Sequence, residues 1–109
     1  MIEVREYTGA DGHCPYLQWF DGLNARAAAK VAIVVTRMAQ GNLSNVKSVG
    51  SGVYEKVIDF GPGYRVYFGK DGDRLVILLG GGTKKRQQSD IRVAQTLWKD
   101  YKQRKRRER

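Results

Sequence analysis

Three apolar runs follow one another closely, "VYEKVIDF" (53–60), "YRVYFG" (64–69) and "RLVILLG" (74–80). The segments between them are too short for a crossover, because a parallel pair needs a connection of a dozen or more residues. Hairpins are what remains. Gly61, Pro62 and Gly63 mark the first turn, and "KDGD" with Asp71 and Gly72 at its centre marks the second. From Leu75 to Leu79 every position is apolar, the pattern of a strand covered on both faces.

The cover comes from amphipathic helices. Pro15 suits the first turn of a helix over "PYLQWFDGL", with Leu17, Phe20 and Trp19 toward its apolar side and Gly22 at its end. Asn24 is placed to cap "ARAAAKVAIVVTRMAQG", in which Ala27, Val31, Val34, Val35 and Met38 recur at helical spacing and Gly41 is the stop. Ser89 is placed to cap a last helix through "DIRVAQTLWKDYKQ", whose apolar face holds Ile91, Ala94, Leu97, Trp98 and Tyr101. "MIEVREY" alternates as a short first strand, "GNLSNVKSVGSG" reads as a polar loop, and Gly80, Gly81 and Gly82 read as the end of the last strand. The expected fold is α+β: a four-stranded, antiparallel-rich sheet packed with helices, in the order β-α-α-β-β-β-α. Residues 1–103 form the domain and 104–109, "RKRRER", a basic tail that frays.

The 109 residues fit one domain, which buries roughly two-thirds of its unfolded surface and so needs no staple. One cysteine, Cys14, excludes a disulfide framework, and one histidine beside it excludes a zinc site built on those ligands. No metal and no cofactor is expected. No apolar run is long enough for a signal peptide, nor for a span of about 20 residues, so a cytoplasmic setting away from membranes is the simplest expectation.

Charge is distributed unevenly. Of the net +9, residues 84–109 hold eleven Lys or Arg against three acids, a net of +8. The first 83 residues hold nine against eight. A near-neutral body with a basic C-terminal quarter fits a polyanion partner, a solubilising tail or an acidic protein partner. Arg65 is the other conspicuous cation, because it stands inside an apolar, aromatic strand directly after the Gly-Pro-Gly turn. Such a side chain either rests its stem on the sheet, paired with Asp59 or Glu55, or aims its head at an anion.

The segments "YEKVIDFGPGYRVYF" (54–68), "LVILLGGGTKKRQQSDI" (75–91) and, more weakly, "WFDGLNARAAAKVA" (19–32) resemble the RelE/ParE superfamily of small bacterial toxins from type II toxin–antitoxin modules. The nearest likeness is to the HigB-like, phage-derived addiction module killer branch, and it runs from Ile2 to about Tyr101. The resemblance implies a RelE-like fold and a metal-independent endoribonuclease, an mRNA interferase that cuts messenger RNA on the ribosome and inhibits translation. It also implies a cognate antitoxin carrying a helix-turn-helix domain. Other members of the superfamily poison DNA gyrase.

RNA cleavage by its own 2′-OH needs a proton acceptor, a cation for the phosphorane and a proton for the leaving 5′-oxygen. Arg65 stands at the family's hairpin arginine and takes the second task. Lys56, Lys85 and Tyr67 complete the expected catalytic set. Lys84, Arg86, Gln88 and Arg92 are the expected contacts to RNA phosphate, just beyond the triple glycine at the start of the last helix. Whether Lys56 shares a face with Arg65 depends on register. A two-residue Pro62-Gly63 turn sets Phe60 opposite Arg65 and brings the two cations together; a three-residue loop sets Asp59 opposite Arg65 and separates them. Ile91 stands where active relatives carry Tyr or His, so the general acid is unassigned. A gyrase poison and a non-catalytic RNA-binding module are the rival expectations. His13 reads as a loop residue, Cys14 as a small helix-edge side chain, and Trp19, Trp98 and Tyr101 as core.

Overall fold

The computed structural model describes residues 1–108. The elements are β1 (Glu3–Glu6), α1 (Pro15–Asp21), α2 (Ala25–Ala39), β2 (Val46–Ser48), β3 (Val53–Ile58), β4 (Tyr64–Lys70), β5 (Leu75–Thr83), a 3-10 turn (Lys84–Arg86) and α3 (Gln87–Arg107). They form an α+β domain around one five-stranded sheet of order β1-β5-β4-β3-β2. The β3-β4-β5 meander is antiparallel, as its short turns require, and β1 joins β5 in parallel.

The sheet lies between two helical layers. On one face Tyr16 of α1 and Ala27, Val31 and Met38 of α2 pack on Ile58, Tyr64, Val66, Phe68, Val76 and Leu78. On the other, Ala94 and Trp98 of α3 pack on Tyr7, Val53, Tyr67, Ile77 and Leu79. This explains the unbroken apolar run of β5, whose alternate residues serve different cores. Local signals set the helix ends. Pro15 is the first residue of α1, the Asn24 side chain accepts from the Ala27 N–H at 2.9 Å, and Gly41 follows α2 with φ of 96°.

Four expectations are corrected. The sheet has five strands, because Val46–Ser48 within the expected loop pairs with β3 through Val46–Lys56, Lys47–Glu55 and Ser48–Tyr54. Three residues are too few to show alternation, and only Val46 is drawn inward. Gly80–Gly82 do not end β5, since pairing with β4 continues through Tyr64–Thr83. Ser89 does not cap α3, which starts at Gln87; its hydroxyl instead donates to the Arg86 carbonyl at 3.1 Å. The segment 104–108 does not fray: α3 runs to Arg107 because tertiary contacts hold its last turns. Arg104 donates to the Thr8 carbonyl and pairs with Asp100 at 3.0 Å, while Lys105 pairs with Asp71. Arg109 lies outside the described residues.

Two glycines seat two tryptophans on opposite faces. A Cβ on Gly81 would lie 2.5 Å from Cδ2 of Trp19, and one on Gly69 would lie 2.5 Å from Cδ2 of Trp98. A bulge at Leu79, between the Tyr67–Gly80 and Phe68–Leu78 pairs, turns Gly81 to the α1 side and Gly82 to the α3 side. The indoles close onto bare backbone there, so a methyl group must push ring or strand aside. Gly69→Ala and Gly81→Ala are each expected to destabilise by about 1–3 kcal/mol in urea titrations, additively, since they strain separate cores.

Phenols tie α3 to the body of the fold. Tyr101 Oη donates to Asp71 at 2.7 Å and Tyr7 Oη donates to Asp100 at 2.5 Å. Burial first, then these carboxylates, push both phenols up to about 12; burial also pushes Tyr16 up to about 12. A pKa raised on folding stabilises while the group is neutral. That contribution is whole below the ordinary tyrosine value of about 10 and is lost as pH climbs through the folded value. Urea midpoints are therefore expected to fall between about pH 10 and 12, with phenolate absorbance lagging that of the unfolded chain.

Candidate functional site

The β3–β4 connection fixes which side chains meet. Ile58 pairs with Tyr64, so Asp59–Gly63 form a five-residue loop, with φ of 55° at Gly61 and 76° at Gly63. Gly63 N–H closes it on the Phe60 carbonyl at 3.1 Å. Val57, not Phe60 or Asp59, stands opposite Arg65. The parity separates the two cations: Arg65 faces α3, and Lys56 faces the α1–α2 layer. Lys56 is therefore removed from the Arg65 site. Its ammonium donates to the Ser44 carbonyl and fastens the loop before β2, and burial lowers its pKa.

A row of polar groups crosses the sheet beneath the start of α3. Glu55 lies in the ladder between Lys47 of β2 and Tyr67 of β4. It is fully buried, with Oε1 3.5 Å from Lys47 Nζ and Oε2 accepting from Gln87 Nε2 at 2.9 Å. Arg65 Nε is 3.7 Å from the same Oε2, and its Nη1 donates to the Gly63 carbonyl at 2.7 Å. Only 11 % of the Arg65 side chain is exposed, so the guanidinium lies folded along its own hairpin. Tyr67, across from Glu55, has its pKa pushed up by burial, then by Glu55 and Asp90. Asp90 lies against the bare Cα of Gly82, and burial raises its pKa against the opposing pull of Arg86.

Three buried polar atoms in this cluster have no hydrogen-bond partner within the chain: Glu55 Oε1, Arg65 Nε and Tyr67 Oη. Glu55 Oε1 and Arg65 Nε are instead met by opposite charges at 3.5 and 3.7 Å, and Tyr67 Oη lies beside the Glu55 carboxylate, so the cluster is held by long ion pairs rather than by close hydrogen bonds. A carboxylate, a guanidinium and a protonated phenol at one point can take up a proton, meet a negative charge and give a proton back. Among the described residues no group of three or more His, Cys, Asp and Glu is placed to hold a metal ion.

The expected phosphate contacts border this cluster. Lys84, Lys85 and Arg86 are exposed in the 3-10 turn, and a Cβ on Gly63 would lie 3.9 Å from Cβ of Lys84, so turn and hairpin are neighbours. Gln88 and Arg92 are exposed on the first turns of α3. Ile91 packs into the core beneath α3, and Gln87 is the residue that reaches Glu55. His13 is exposed in its loop, Cys14 is half-buried ahead of α1, and Trp98 and Tyr101 stack at 5.0 Å inside the α3 core. Of the two acids expected to pair with Arg65, Glu55 is the partner; it stands at the parity of Val53, hence on a buried face. Gln87 and Lys47 carried no signal, because each arrives through an element boundary that composition does not mark.

No family model matches the sequence. A protein of Haemophilus influenzae (strain ATCC 51907 / DSM 11121 / KW20 / Rd), described as an uncharacterized protein, is 45 % identical over 80 residues, 72 % of this chain and 81 % of that protein.

Removing Glu55 leaves Arg65 buried without its partner. Glu55→Ala is expected to cost about 3 kcal/mol in urea denaturation, whereas Glu55→Ala with Arg65→Met recovers most of that loss.

Proposed function

We propose that this chain, which belongs to the same family as the Haemophilus influenzae protein, is the toxin of a toxin–antitoxin pair: a cytoplasmic, metal-independent ribonuclease of the RelE/ParE type that cuts messenger RNA on the ribosome. A cognate antitoxin, carrying a helix-turn-helix domain, holds it inactive and covers part of its basic surface. The observation that carries the proposal is the buried cluster of Glu55, Arg65 and Tyr67, held by long ion pairs, beside the cationic turn Lys84–Arg86. The order of elements and the hairpin arginine support the resemblance to those toxins.

The chemistry follows from the three groups. In this reading the Gln87 side chain swings away from Glu55 and opens the cluster to RNA; the 2′-hydroxyl then gives its proton to the Glu55 carboxylate and attacks the adjacent phosphorus. Charge gathering on the phosphorane oxygens is met by the Arg65 guanidinium, whose Nε is held by Glu55 only at 3.7 Å. Tyr67, whose raised pKa keeps it protonated, gives its proton to the leaving 5′-oxygen. The products are a 2′,3′-cyclic phosphate and a 5′-hydroxyl. Lys85 assists at the phosphate, and Lys84, Arg86, Gln88 and Arg92 hold the flanking backbone.

A second reading rests on a specific observation. Arg65 is engaged by Gly63 and Glu55, and Ile91 brings no acid–base group, which favours a protein that binds RNA or gyrase without cutting RNA. Primer extension on a reporter messenger RNA in a translating bacterial extract separates the two. Wild type is expected to give codon-phased cuts. Arg65→Lys, which keeps the charge and loses the fork, should cut about 100-fold more slowly, and Tyr67→Phe should be similarly impaired, with circular dichroism confirming the fold of both. Growth arrest without cuts overturns the ribonuclease and directs attention to gyrase supercoiling.

A further inference from the structure

We infer that the outward face of α3 is a second RNA-binding surface, a track for sugar–phosphate backbone that begins at Arg92, where it meets the flanking contacts of the Arg65 cluster, and leads away from that cluster, so that different parts of the chain hold RNA and cut it. This rests on the proposal above only in taking RNA as the polyanion.

The track is one helical stripe. Arg92, Gln95, Lys99, Lys102 and Arg106 recur at spacings of three, four, three and four residues and line one groove, with Ser51 of the β2–β3 loop on its rim. From Arg92 to Arg106 the stripe is about 21 Å long. No acidic residue lines it. The loop that forms its rim is fastened to the helix, because Gln95 Nε2 donates to the Val49 carbonyl at 3.0 Å.

The cations of α3 divide by side. Arg104 and Lys105 face the body and are engaged by Asp100 and Asp71. Arg92, Lys99, Lys102 and Arg106 are exposed, and none takes part in a salt bridge among the described residues. Like charges three and four residues apart destabilise a helix. The helix dipole favours cations in the last turn only, so it accounts for Arg106 and not for Arg92 or Lys99. An external anion that meets several of them in a line relieves this repulsion, and a nucleic-acid strand is such an anion.

The lining also discriminates between polyanions. An amphipathic acidic peptide needs an apolar seam to bury, and a lipid surface needs exposed aromatic or aliphatic residues beside the lysines. Serine, threonine and glutamine fill those places here. These side chains hydrogen-bond phosphate and sugar without reading bases, so the track binds without sequence preference. Its far end is remote from the chemistry, since Arg106 stands nineteen residues beyond Gln87, about 28 Å along the helix.

The test uses fluorescence anisotropy of a labelled oligouridine across a salt series, with the full chain. The variant Lys99→Gln/Lys102→Gln/Arg106→Gln is compared with Arg26→Gln/Lys30→Gln/Arg37→Gln, which removes equal charge from α2. Three phosphates then go unneutralised in the α3 variant alone. Its slope of log affinity against log salt is expected to shrink by about two, and its affinity to fall at least tenfold. Equal losses in both variants would reduce the track to net charge and overturn it. So would tighter binding of poly-glutamate than of RNA by wild type, which would make the partner an acidic protein. Extract assays keep the two proposals apart. Cuts by wild type together with an unchanged slope in the α3 variant would sink the track alone, and a lost slope with no cuts from wild type would sink the ribonuclease alone.

Discussion

Strand β4 has no solvent face. From Tyr64 to Gly69 every residue is buried, because strands flank it on both edges and helices cover it above and below. Any polar residue in it must therefore be satisfied inside the fold. Parity does the rest. Tyr64, Val66 and Phe68 belong to the α1–α2 core, so Arg65, Tyr67 and Gly69 must face α3. Arg65 needs an internal anion, which Glu55 on the next strand supplies, and Glu55 in turn draws Lys47 and Gln87 toward it. The polar cluster follows from burying an arginine-bearing strand on both sides.

The same logic separates the cations of α3. A helix with this density of positive charge needs anchors, and Tyr7, Tyr101, Asp71 and Asp100 supply them from the inner side. The stacked Trp98–Tyr101 pair adds apolar area, with Trp98 seated on bare Gly69. Once the inner face is held in this way, the outer face can carry unpaired like charges at modest cost.

Much of this was legible in the residues. Two short turns fixed the β3-β4-β5 meander, and the apolar run of Leu75–Leu79 announced cover on both faces. Pro15, Asn24 and Gly41 marked helix ends by local chemistry, which is why those ends agree. What was not legible depended on partners distant in sequence. Val46–Ser48 becomes a strand through pairing with β3, since its own composition is that of a loop. The glycines after Leu79 read as a break because glycine is poor in strands, yet the ladder to β4 carries them, and two of the three make room for Trp19 and Asp90. The end of α3 was misjudged because charge repulsion is visible in "RKRRER" and the contacts to Thr8 and Asp71 are not. The site was half legible. Arg65 and Tyr67 stand together as expected, but a five-residue loop in place of the two- or three-residue turns considered set the register and sent Lys56 to the other face.

The position of α3 between the two proposed RNA surfaces has a geometric consequence. Its inner face closes over Glu55, Arg65 and Tyr67, and its outer face carries the Arg92–Arg106 stripe. A helix with side chains is about 10 Å across, so no single nucleotide can touch both faces. RNA held on the stripe and RNA presented to Arg65 must be different segments, joined around the start of α3 where Lys84, Lys85 and Arg86 stand. That start is tied to the sheet by Gln87 on Glu55, by Asp90 against Gly82 and by Ile91 in the α3 core. On this geometry, an RNA with two strands or a fold in it satisfies both surfaces together, and a short linear strand satisfies only one.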